Sequence, residues 1–234
     1  MPTIKFKIGD IVTLKSHPMA FQPKGEIDSF VSHIPPLMCI KEIHIERKKE
    51  MYSKEMEGSQ IADNVKYLCT YFNQHRLIFE DKYVYQELLL SFEELLFHKA
   101  KDNGSELHQK LIDETLDYNI CNYQYGKRIF FKTYKLEKRK TFKSAGISAV
   151  SSNKSLMTHT SPAFLLSGFM RNDKGNQYDG KSGKLIRQCS KDLYKVIWYN
   201  SYQEKYSEEF MPSEFFTDDS RIYRSLVSSP PVDN

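Results

Sequence analysis

No stretch of this 234-residue chain approaches the roughly 20 consecutive apolar residues that a membrane-spanning helix needs. The opening ten residues, MPTIKFKIGD, hold no apolar block of the kind a secretory leader uses. The expectation is a cytoplasmic protein without membrane contact. Cysteine is scarce: Cys39, Cys69, Cys121 and Cys189 stand apart, with no C-x-x-C pair and no histidine at ligand spacing. Two of them lie inside apolar runs, PLMCIKEI and KYLCTYF, and read as buried free thiols acting as small hydrophobes. The seven histidines form no H-E-x-x-H pattern, so neither a metal nor a cofactor is expected. No Ser-His-Asp, Cys-His or paired-carboxylate arrangement shows in the sequence, which points to a protein that is not an enzyme. Charge of one sign is also in short supply. A net charge of +4 permits an acidic partner such as nucleic acid but does not require one unless the cations cluster.

What is abundant is aromatic. Fifteen Tyr and fifteen Phe favour strands, because planar side chains pack well on a half-buried pleated surface. They also repeat. YLCTYFNQHRLIFEDKYVYQELL (67–89) aligns without a gap to YKVIWYNSYQEKYSEEFMPSEFF (194–216). Tyr67 meets Tyr194, Asn73 meets Asn200, Phe79 meets Tyr206 and Glu87 meets Glu214. Upstream, PPLMCIKEI (35–43) matches SPAFLLSGF (161–169), and GKRIFFKT (126–133) stands as the counterpart of GDIVTLKS (9–16). Each copy reads as a strand after proline, a long polar excursion, then a second strand leading through Asn into a third.

These residues carry a resemblance. GDIVTLKS, then Pro36-Leu37-Met38, then CTYFN, then Phe79 and a closing QELL resemble the YodC-like family of small bacterial proteins. The likeness covers most of 4–90 and, more loosely, 126–217. It implies a small, strongly bent β-barrel of the SH3-like type and no catalytic residues. The chain departs from the family by insertions before Pro36 and after Ile43, and its second copy lacks a clear G-D-x-V opening.

Between the copies the composition changes. Leu88, Phe92, Leu95 and Leu96, then Leu107, Leu111, Leu116 and Ile120, fall at helical spacing around the breaker Asp102-Asn103-Gly104. Ser105 is placed to cap the second helix. The expected architecture is mainly β with a helical insert (α+β). It comprises a first SH3-like barrel over 1–90, a helical connector over 91–124, a diverged second barrel over 125–220 and a flexible tail over 221–234.

Three segments invite a functional reading. GNQYDGKS (175–182) satisfies the phosphate-loop pattern G-x-x-x-x-G-K-[ST]. A working loop needs a buried strand ending at the first glycine and a long helix starting at the Lys-Ser pair. Here polar RNDK intervenes before it and Gly183 follows it, so the segment reads as the tip of a hairpin rich in turn formers. The second segment, GKRIFFKTYKLEKRKTFK, gathers Lys127, Arg128, Lys132, Lys135, Lys138, Arg139, Lys140 and Lys143 against one acid, Glu137, with aromatics interleaved. Cations at that density suit nucleic-acid phosphates, while the blander reading is an edge strand whose lysines discourage aggregation. Third, Tyr71 and Phe72, and their counterparts Trp198 and Tyr199, each place one ring inward and one outward. The outward members could meet a protein partner or a base, or else pack barrel against barrel.

The reading that follows is a non-enzymatic interaction module. It would serve as an accessory subunit of a larger nucleic-acid-handling assembly, for example a bacterial defence complex such as a CRISPR effector. The alternatives are a protein–protein scaffold or homodimer without nucleic-acid contact, and a nucleotide binder acting through 175–182.

Overall fold

The computed structural model describes residues 3–20, 34–46, 64–98, 108–110, 121–145, 148–218 and 225–226, of which 96–98, 108–110, 136–145, 148–157 and 225–226 are described by backbone alone. In chain order the strands begin with β1 (Ile11–Leu14), β2 (Met38–Ile45), β3 (Val65–Asn73), β4 (Ile78–Tyr85), β5 (Leu89–Ser91), β6 (Leu96–His98) and β7 (His108–Lys110). They continue with β8 (Arg128–Phe131), β9 (Tyr134–Ala145), β10 (Ser148–His159), β11 (Phe164–Arg171) and β12 (Gln177–Tyr178). The last are β13 (Leu185–Cys189), β14 (Asp192–Asn200), β15 (Lys205–Pro212), β16 (Phe216–Thr217) and β17 (Ser225–Leu226). All pairing is antiparallel. The protein is mainly β, and no helix among the described residues is long and apolar enough to cross a membrane.

The duplication is written in the hydrogen bonds. In the first repeat the order is β5-β1-β2-β3-β4, and in the second it is β16-β8-β11-β14-β15. Gly9 and Gly126 both take positive φ (83° and 77°), and each donates its amide at 2.8 Å to an equivalent carbonyl, Ile40 and Leu166. The β2–β3 ladder slips between Ile40 and Glu42, and the β11–β14 ladder slips between Leu166 and Gly168, so the same bulge bends both sheets. Asn73 and Asn200 each accept turn amides through Oδ1, and Leu77 and Glu204, four residues on, both adopt positive φ. Equivalent sequence has produced equivalent turns.

Two features differ from the sequence expectation. The five strands of each repeat form open sheets rather than closed barrels: β5 and β16 pair only with β1 and β8, and do not return to β4 or β15. The helical connector is also absent wherever 91–124 is described. Phe92–Glu94 makes a single 3₁₀ turn, begun by a capping box between Ser91 and Glu94, after which β6 pairs with β7. The helical period of Phe92 and Leu95 is real for that one turn. Both side chains are buried there against Met19, Leu37 and Tyr134, while Leu88 points outward. The proposed second helix, its cap Ser105 and most of the tail lie outside the described residues.

What closes the second sheet is the first repeat. Val12, Ile40, Ile43, Val65, Tyr67 and Cys69 form one core on the inner face of the first sheet. The larger core joins Phe131, Phe164, Val196, Trp198, Met211 and Phe216 of the second repeat to Cys39, Phe72 and Phe79 from the outer face of the first. Phe72 and Phe79 meet edge to face at 5.1 Å and contact Phe164 and Trp198 at 5.6–6.2 Å between ring centres. Burying two such phenyl rings is worth about 2–3 kcal/mol each. The hairpin tip is then clasped: Trp198 Nε1 donates to the Leu77 carbonyl at 2.9 Å, and Asn200 Nδ2 donates to the carbonyls of Arg76 and Leu77 at 3.0 and 3.1 Å. β13 adds a second connection by pairing with Glu42, Ile43 and His44 of β2. All four cysteines are free and buried, and burial pushes the Cys39 and Cys69 thiols up to about 12.

Gly9 sits on the seam between the repeats. A Cβ there would lie 2.5 Å from the Cβ of Glu214, whereas a Cβ on its twin Gly126 would meet nothing within 4 Å. Both carry the same left-handed strain, so the pair separates strain from contact. Gly126→Ala should cost about 1–2 kcal/mol in urea unfolding. Gly9→Ala should cost a further 1–3 kcal/mol or so, because neighbouring backbone must shift.

Candidate functional site

The basic segment divides into three environments. Lys127 reaches Asp218 at 2.6 Å, and the exposed Arg128 guanidinium lies 5.8 Å from the centre of the Phe130 ring. Lys132 is only 7% exposed, which removes it from any surface stripe. Lys135 is half-buried and donates to Gln74 Oε1 at 2.7 Å, bridging the repeats. Lys138, Arg139, Lys140 and Lys143 lie farther along β9, which pairs with β10 in a hairpin of 12 residues per strand. At about 3.3 Å per residue that ribbon spans roughly 40 Å. Its register sets Arg139 opposite Lys154, Lys138 opposite Ser155, Lys140 opposite Asn153 and Lys143 opposite Val150. Lys154 was not among the expected site residues. It stands in the neutral run SAVSSNKSLM, and only recognition of 134–159 as one hairpin would have joined it to Arg139.

The aromatic pairs divide as well. Phe72 and Trp198 are buried in the shared core and cannot meet an outside partner. Tyr71 is half-buried and donates its hydroxyl to Glu80; that bond, with burial, pushes the phenol up to about 12. Tyr199 is 52% exposed, in edge-to-face contact with Tyr206 (73% exposed) at 5.5 Å. The pair occupies the positions that Phe72 and Phe79 hold in the first repeat. Around it on the same face, strand pairing places Leu165 beside Ile197, and Phe210 opposite Lys195, which is ion-paired to Glu208. Leu165, Tyr199, Tyr206 and Phe210 are all exposed, so the outer face of the second sheet is aromatic and locally charge-balanced.

The phosphate-loop pattern lies in the β12–β13 hairpin, as its turn formers suggest. The Asp179 carboxylate accepts the amides of Lys181 (2.8 Å) and Ser182 (2.9 Å), and the Asp179 carbonyl accepts the Gly183 amide at 2.8 Å. A phosphate would need those donors, and a carboxylate already holds two of them. A strand, not a helix, follows.

That strand is anchored by a half-buried charge cluster. Arg187 Nε donates to Glu42 Oε2 at 2.8 Å, its Nη2 meets Oε1, and His44 Nε2 lies 2.9 Å from Oε2. Burial opposes ionisation of Glu42, but the hydrogen bonds and charges of His44 and Arg187 outweigh it and hold the carboxyl down at about 2. A catalytic assignment would need a substrate path to this cluster; its geometry instead ties β13 to β2.

No family model, no curated protein and no solved structure matches the chain. The two features set apart by the geometry are the cation-bearing β9–β10 ribbon and the exposed aromatic outer face of the second sheet.

Two outcomes are expected. Because Glu42 is depressed in the folded state, its contribution to stability is complete above its ordinary carboxylate range and is lost as pH falls from about 4.5 towards 2. Glu42→Gln should therefore cost about 1–3 kcal/mol at pH 7 and flatten the acid limb of the stability profile in that window. Lys181→Ala should leave nucleotide titrations unchanged, because the loop offers no cradle.

Proposed function

We propose that the protein is a non-enzymatic interaction module, an accessory subunit that binds a nucleic-acid backbone while docking on a larger cytoplasmic assembly, such as a bacterial defence complex. The observation that carries this reading is the β9–β10 ribbon, where Arg139 and Lys154 stand opposite one another amid Lys138, Lys140 and Lys143. A two-stranded ribbon fits the major groove of duplex DNA, and lysines and arginines release counterions from phosphates. The exposed Tyr199, Tyr206 and Phe210 face supports a protein partner as well, since aromatic residues are enriched where proteins meet. The strand order of each repeat, a four-strand meander followed by a 3₁₀ turn and a short fifth strand returning to the first, supports reading the repeats as opened relatives of SH3-like modules with YodC-like ancestry.

A second reading, a scaffold or homodimer without nucleic acid, is favoured by the same aromatic face. Electrophoretic shifts on duplex DNA across a salt series separate the two. The nucleic-acid reading expects binding that weakens steeply with salt, and a triple reversal of Lys138, Arg139 and Lys140 to Glu that reduces the log–log slope by about 3. Binding unchanged in the triple variant rules out the ribbon, and no binding at low salt favours the scaffold.

A further inference from the structure

The duplication exposes a charge that has lost its counterpart. Lys15 and Lys132 are equivalent: their amides donate to the Leu88 and Phe215 carbonyls at 2.9 and 3.0 Å, at matching places in the two repeats. In the first repeat Lys15 lies 3.6 Å from Glu87. The matching acid in the second repeat is Glu214, but its carboxylate is engaged elsewhere, accepting from Ser190 Oγ at 2.7 Å and Ser213 Oγ at 3.3 Å. Among the described residues Lys132 forms no ion pair, although it is 7% exposed. Its aliphatic stem is packed away while the ammonium keeps contact with solvent, so the charge is open to an external anion.

The ammonium borders a cleft of about 630 Å³. Lys132 Nζ lies 3.3 Å from the point where a Cβ on Gly9 would stand, and Gly9 lines the same cleft. Phe6, Ile11, Leu89 and Leu90 also line it. Its other two cations are paired, and its acids remain charged, two of them holding backbone amides. Lys5 and Lys15 converge on Glu87, Asp10 Oδ2 accepts the Lys7 amide at 2.7 Å, and Glu94 Oε1 accepts the Ser91 amide at 3.3 Å; Glu93 is exposed. A volume of this size suits a small organic molecule rather than a bare ion.

We propose that this cleft binds a small organic molecule through one oxyanion group, a carboxylate or a phosphate, held by Lys132. The site lies apart from the β9–β10 ribbon, and it stands or falls independently of nucleic-acid binding.

The test uses the full chain with inorganic phosphate and, separately, acetate, each titrated at ionic strength matched with chloride. A saturable rise in Tm is expected with at least one of them, and which one responds assigns the head group. The rise should vanish in Lys132→Met and persist in the Lys138, Arg139 and Lys140 to Glu variant. Amide NMR spectra of the unaltered protein guard against a misfolded variant: shifts should centre on Gly9, Asp10, Leu90, Ser91 and Lys132. An equal rise in Lys132→Met, shifts confined to the ribbon, or no saturable response to either anion would overturn the proposal.

Discussion

The insertion of one repeat's outer face into the other's open sheet is the contact on which the rest of the molecule depends. A five-stranded sheet that does not close leaves its inner face to water unless something covers it. Here Phe72, Phe79 and Cys39 cover the face lined by Phe131, Phe164 and Trp198, and the Leu77 tip is held by Trp198 and Asn200. The donors Trp198 Nε1 and Asn200 Nδ2 would otherwise be buried without acceptors, so the clasp satisfies polar groups while the rings exclude water.

Duplication followed by divergence explains why this contact forms once and does not propagate. In the first repeat the positions of Trp198 and Asn200 are held by Tyr71 and Asn73, and both donate to Glu80 instead of to a docked hairpin. Ser207 stands at the position of Glu80 in the second repeat, leaving those donors open to the incoming carbonyls. On the outer faces, Phe72 and Phe79 became core while their counterparts Tyr199 and Tyr206 remain in water. Tyrosine tolerates that exposure because its hydroxyl stays hydrated. Lys132 and Glu214 have likewise parted where Lys15 and Glu87 have not. Each asymmetry marks a place where one copy has a task the other lacks.

Much of this was legible in the sequence, and the rest was not for definable reasons. The ungapped match of 67–89 with 194–216 reappears as equivalent turns, and the structure adds a positive φ shared by Leu77 and Glu204. The turn formers of 175–182 foretold a hairpin, and Asp179 accepts two of the amides that a phosphate would need. The helical spacing of Leu88, Phe92 and Leu95 misled, because tertiary burial used a single 3₁₀ turn of it and strand pairing took what followed. Phe72 and Tyr199 could not be told apart by pattern, since both are aromatic on an alternating strand; which is buried depends on what docks there. Lys132 reads as one more cation in a basic run, and only the closing of the seam makes it a buried one.

The central claim is that the second repeat owes its core to the first. The chain has a single tryptophan, Trp198, placed in that shared core and in the clasp, so its fluorescence reports the contact directly. Urea unfolding followed by Trp198 emission and by far-ultraviolet circular dichroism should give coincident transitions with one midpoint, and Phe79→Ala should lower both together by about 3–5 kcal/mol. A Trp198 transition separated from the backbone transition, or one indifferent to Phe79→Ala, would contradict the account.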